Sequence, residues 1–134
     1  HNRFKMEENL EKEELLFSKM IRDMDKVDIY RTLSVESESV LKASEITEKV
    51  LKEFQRKQTI DAHLIKTDSD KTIVRLAFIF DMNFDESYDI LVSTDNFDLF
   101  LSTVEVEEDS EKLWKKLREI CFDRINQGVG GKNE

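Results

Sequence analysis

TIVRLAFIFDM, residues 72–82, is the longest apolar run in the chain, and the fold turns on how it is read. As an extended segment it would carry Val74, Leu76, Phe78 and Phe80 on one face and Ile73, Arg75, Ala77 and Ile79 on the other. A half-solvated strand is polar on its second face, so this pattern predicts a central strand covered on both sides. Upstream, Ile60, Ala62 and Leu64 alternate with Asp61, His63 and Ile65, and Asp68-Ser69-Asp70 supplies turn chemistry, which predicts a hairpin partner. Downstream, Asn83-Phe84-Asp85-Glu86 reads as a turn, Tyr88 to Ser93 as a third strand, Thr94-Asp95-Asn96 as a turn and Phe97 to Val106 as a fourth strand. Four strands in close succession imply an antiparallel meander.

Helical periods flank this centre. Val40, Ala43, Ile46, Thr47, Val50, Leu51 and Phe54 fall on one face of an amphipathic helix. Leu113, Trp114, Leu117, Ile120, Cys121, Arg124 and Ile125 form the stripe of a last helix, which Asp109 or Ser110 can cap and Gly128 ends. At the N-terminus, Met6, Leu10, Phe17, Met20, Met24 and Val27 recur at spacings of three and four, interrupted by Glu13, among Glu, Lys, Asp and Arg. A 3.5-residue period held over about three heptads is that of a helix that pairs with another helix. The expectation is therefore an α+β protein. A coiled-coil stalk at residues 1–33 leads into a globular head at 34–127, in which a small four-stranded antiparallel sheet packs against helices, and 128–134 form a disordered tail. The coiled-coil register starts abruptly, as in a fragment of a longer chain.

The chain has 134 residues, enough for one core of ordinary size. Its net charge of −9 and pI near 4.8 argue against tracking phosphates, which requires clustered Lys and Arg, so nucleic acid and anionic membranes are not expected partners. Cys121 is the single cysteine, so no internal disulfide can form and a reducing, intracellular compartment, nucleus or cytoplasm, is the natural reading. No stretch is apolar enough to span a membrane.

The chemistry-bearing residues are sparse. Asp81, Asn83 and Asp85 stand at positions one, three and five of a calcium loop, but Glu86 and Val92 occupy the places that need Gly and a bidentate Glu. A turn accounts for them better. Asp68 and Asp70 are again a turn pair, and paired acid/base work would need a cleft. His63 and Cys121 lack a nucleophile motif around them, and one Cys with one internal His cannot build a His/Cys zinc site. No glycine precedes position 128, so no phosphate loop exists. Ser34, Ser37 and Ser39 can accept phosphate, although caps and turns explain them. No catalytic, cofactor or metal residue and no small-molecule substrate is expected. Trp114 reads as a core anchor. Phe84, Phe97 and Phe100, at turns and strand edges, are candidate partner-binding anchors, with packing beneath the helices as the alternative.

A coiled coil passing through Asp28-Ile29-Tyr30-Arg31-Thr32-Leu33 into Leu76-Ala77-Phe78-Ile79-Phe80, Tyr88-Asp89-Ile90-Leu91-Val92 and a final helix from Leu113 to Phe122 is similar to kinetochore subunits that carry an RWD-like globular head. The segment from Val40 to Phe54 and the lack of proline depart from that family. The resemblance implies a non-enzymatic role in a chromosome-segregation assembly: a head that dimerises beside a partner head and docks short helical motifs. The alternative is a small acidic dimeric chaperone or inhibitor, similar to secretion chaperones, whose first helix packs on its own sheet. On the stalk reading, a homo- or heterodimer forms through the N-terminal helix, and Leu10, Phe17 and Met24 meet a second helix.

Overall fold

Thr67-Asp68-Ser69-Asp70 is a helix start. In a computed structural model of the chain, the Thr67 hydroxyl accepts from the Asp70 N–H at 3.0 Å, and the Asp70 carboxylate reaches back to the Lys66 N–H at 3.0 Å. This is a T-x-x-D form of the reciprocal N-terminal cap. The structure describes residues 2–36 and 38–130, with side chains from 8 to 35 and from 38 to 130. In chain order its elements are α1 (Asn2–Glu36), β1 (Ser39–Leu41), α2 (Glu48–Gln55), α3 (Asp68–Leu76), α4 (Glu86–Thr94), α5 (Asn96–Thr103), β2 (Val104–Val106) and α6 (Glu111–Gly128), joined in part by short 3-10 turns.

Among the described residues the expected four-stranded antiparallel sheet is therefore absent, and the body is mainly helical. The would-be central strand is α3 followed by a 3-10 turn over Ala77–Phe80. The third strand is α4, and the fourth is α5 with the three residues of β2. The expected hairpin partner holds only a 3-10 turn at Ala62–Leu64. The physical reason is burial on all sides. Thr72, Ile73, Val74, Leu76, Ala77 and Ile79 are all buried, and a segment apolar all round does not reveal whether its period is two or 3.6. The helix expected from Val40 begins only at Glu48. Val40 and Leu41 instead pair with Glu105 and Val106 in a two-stranded parallel sheet, the one sheet among the described residues.

The core lies between α1, α3, α5 and α6. Tyr30, with no exposed surface, is at its centre: its ring meets Phe97 edge-on at 4.9 Å and Phe100 at 5.4 Å, and its hydroxyl donates to the Arg75 carbonyl at 2.6 Å. Burial pushes its phenol well above the usual range. The expected stalk thus enters the body, because Val27 and Tyr30 are buried and Met24 and Leu33 pack against the same cluster. At the other end of the chain, α6 runs to Gly128, which is buried, and Val129 packs on the core. Residues 131–134 of the expected tail lie outside the described residues. Gly128 has a packing role: a Cβ there would fall 2.2 Å from Cδ2 of Tyr88 in α4.

Two buried carboxylates tie the layers together. Asp70 accepts from the Thr47 N–H at 2.7 Å and the Thr47 hydroxyl at 2.5 Å, which fixes the start of α2 to that of α3. Asp23 of α1 accepts from the Asn83 N–H at 2.8 Å, the Phe84 N–H at 3.0 Å, the Asn83 amide at 2.9 Å and the Ser87 hydroxyl at 2.5 Å. It thereby serves the N-H groups at the entry to α4 from a neighbouring helix. For both groups burial raises the pKa, but the hydrogen bonds outweigh it and hold each carboxyl below its ordinary value.

Candidate apolar groove between α1 and α4

Asp23 also decides where a surface groove lies. By pinning the turn at Asn83-Phe84 to α1, it sets Phe84, Ser87 and Ile90 beside the helix face of Leu16, Met20 and Met24. These six residues and Glu86 line a groove of ≈ 300 Å³ whose walls are almost wholly apolar. Of its two polar side chains, the Ser87 hydroxyl is committed to Asp23, which leaves Glu86 at the rim.

The groove opens onto a longer apolar surface. N-terminal to Asp23, α1 leaves the body, and Leu10, Leu15, Leu16, Phe17, Met20 and Ile21 are all exposed, Phe17 by 65 %. On α4, Ile90 is 41 % exposed. Contiguous apolar exposure of this kind marks interaction sites in soluble domains, whereas scattered single residues do not.

The residues expected to pair helices divide into two groups. Leu10, Phe17 and Met20 face solvent, whereas Met24 lines the groove and packs on the core and Val27 is buried. Met6 lies outside the described side chains. The three phenylalanines divide as well. Phe84 lines the groove, but Phe97 and Phe100 pack around Tyr30 and offer a partner no surface, since aromatic packing in the core already satisfies them. The heptad reading passed over Leu16 and Ile90. For Leu16 a signal existed: Leu16, Met20 and Met24 recur every four residues and form a row along one helix face.

The chain matches no protein-family model, no curated protein and no solved structure.

The remaining polar candidates do not converge. Cys121 is fully buried and its thiol is pushed far up by burial, while the His63 ring is exposed and pairs at 2.8 Å with Asp61, two residues away. In the calcium-like turn, Asp81 meets Lys26 at 2.9 Å and Asn83 is bound to Asp23. Asp70 is spent on capping α3 and α2. Trp114 is buried, with the Arg118 guanidinium 5.8 Å from its ring centre. The Ser34 hydroxyl donates to the Arg31 carbonyl, Ser39 is buried in β1, and Ser37 lies outside the described residues. Among the described residues no group of three or more His, Cys, Asp or Glu side chains is placed to hold a metal ion, and no helix is long and apolar enough to cross a membrane.

Proposed function

We propose that the chain is a non-enzymatic protein-interaction module that engages a helix of another polypeptide, identical or different, through the exposed half of α1 and the groove beside it. The observation that carries this reading is the exposed apolar surface beside the groove: Phe17 and Met20 lie three residues apart on the free helix, and Met20 itself lines the groove with Leu16, Met24, Phe84 and Ile90. Exposed apolar side chains of this size gain roughly 25 cal/mol for each Å² taken from water, so a partner helix laid on them supplies the binding energy directly. Phe17 and Met20 are the natural central anchors, since large side chains at the middle of a contact dominate affinity. The role does not depend on the sheet expected from the sequence.

The test pairs two readouts on the full chain and on Phe17→Asp/Met20→Asp. Light scattering reports a second copy, and recovery with a tagged chain reports a different partner. The expected result is an association of either kind that the double variant abolishes while its urea unfolding curve is unchanged. An association indifferent to the double variant would place the interface elsewhere and overturn the reading.

A further inference from the structure

We propose that a second surface site, the cleft where the corner between α4 and α5 meets α6, takes a primary alkylammonium, the stem and head of a lysine side chain from another polypeptide. The cleft measures ≈ 160 Å³. Buried Leu91, Phe97 and Ile125 with partly buried Phe122 form its floor, and exposed Val92, Asp95, Asp98 and Asn126 form its rim. Pockets for drug-sized ligands begin at about 300 Å³, so this one has room for a single side chain. The rings of Phe97 and Phe122 meet edge-on at 5.8 Å, and with Leu91 and Ile125 they offer methylenes an apolar bed beside two carboxylates. A divalent metal ion asks for about six oxygen ligands, which a floor of carbon does not supply.

The charge of the lining is of one sign. From Leu76 to Glu111 the chain carries eleven Asp and Glu and no Lys, Arg or His, so the whole net negative charge of the protein resides in the block that contains this corner. Acids at a helix start are commonly spent on its free N–H groups. Here Asp95 makes no side-chain bond to the start of α5, and the Asn96 N–H donates instead to the Thr94 hydroxyl at 3.3 Å. Among the described residues neither Asp95 nor Asp98 forms an ion pair. The helix ends add to the same field. The last turns of α4 and α6, at Leu91, Val92, Ile125 and Asn126, bring two negative ends to the cleft against the one positive end of α5, and neither last turn holds a basic residue of its own. The α6 cations nearest Phe122 in sequence are engaged elsewhere: Arg124 lies 4.5 Å from the Tyr88 ring centre and Arg118 5.8 Å from that of Trp114. On the inward half of α1, Lys26 and Arg31 pair with Asp81 and Asp28.

Amide NMR shifts of the full chain, followed at constant ionic strength, test the proposal with three probes: methylammonium, n-butylammonium and a lysine blocked at both ends. The variant Asp95→Asn/Asp98→Asn removes the carboxylates at exposed positions, and asparagine tolerates the left-handed backbone of residue 95 as aspartate does, so the variant is expected to keep the parent's spectrum elsewhere. The expected result is a saturable shift confined to residues 91–98 and 122–126 with both n-butylammonium and the blocked lysine. Methylammonium should bind about tenfold more weakly than n-butylammonium, because each methylene withdrawn from water adds up to roughly a fourfold gain. The double variant should weaken both longer probes about tenfold, one decade in Kd. Equal responses to methylammonium and n-butylammonium, shifts spread over the exposed acids of the whole chain, the same shifts with calcium chloride, or binding that the double variant leaves intact would overturn the site. Saturation by n-butylammonium without any by the blocked lysine would overturn the polypeptide source and leave a site for a free amine.

Discussion

The two halves of α1 share one backbone helix and differ in almost everything else. Between residues 8 and 22 large apolar side chains point into solvent, whereas between Asp23 and Leu33 the same helix supplies the centre of the core. The second half is fixed by polar bonds as well as by packing. Asp23 holds the entry to α4, the Asn96 amide donates to the Val27 carbonyl at 3.1 Å, and the Tyr30 hydroxyl donates to Arg75. In the first half the Asn83 amide donates to the Lys19 carbonyl at 3.3 Å. One helix is therefore a structural strut on one side of Asp23 and an exposed apolar arm on the other.

The largest expected effect breaks the fixed half. Tyr30→Ala removes a fully buried ring and should cost about 3–5 kcal/mol in urea unfolding, while Phe17→Ala on the free half should stay within about 0.5 kcal/mol. Equal costs would erase the contrast between the halves. Asp23→Ala comes next: it leaves the Asn83, Phe84 and Ser87 donors without their acceptor and should cost about 1.5–3 kcal/mol at neutral pH.

The same substitution changes the acid limb. Asp23 and Asp70 have folded pKa values below their unfolded ones, so their stabilisation is complete above the ordinary aspartate range, near pH 4, and is lost as pH falls through the folded values. Thermal unfolding followed from pH 7 down to pH 2 should fall less steeply in Asp23→Ala than in the parent. A parallel pair of curves would show that Asp23 does not titrate in this way.

Gly128→Ala reaches the groove's second wall from behind. The new Cβ drives into Tyr88 and should cost about 1–3 kcal/mol in urea unfolding by overpacking. Lys26→Ala, within the fixed half, should cost less than these core changes, under about 1 kcal/mol, because Asp81 is largely exposed and such pairs are weak.

Much of this contrast was legible in the sequence, and the middle of the chain was not. The heptad of Leu10, Phe17 and Met20 identifies a helix with an unpartnered face. It does not reveal that Met24 and Val27, in the same register, turn inward, because only the position of Asn83 and Phe84 in space decides that. The last helix was legible from its stripe at Leu113, Leu117, Cys121 and Ile125. Residues 72–79 misled because a run apolar on every side carries no period, and in 88–106 Ile90, Val92 and Leu99 place apolar residues on the solvent side as well. Two local signals pointed the other way. Thr67 and Asp70 form a helix cap, and the supposed hairpins contain neither glycine nor proline. The chain instead passes from α4 to α5 through Asp95 at φ 58°, a left-handed conformation that aspartate tolerates better than most residues. Phe97 and Phe100 followed the same error: as strand-edge residues they would be exposed, but on a helix they face Tyr30.

Amide hydrogen exchange along α1 in the full chain tests the division at Asp23 most directly. The account predicts that amides from residue 24 to 33 exchange only with global unfolding, while those from 10 to 18 exchange orders of magnitude faster by local fraying. Uniform protection along the whole helix in the monomeric protein would contradict it.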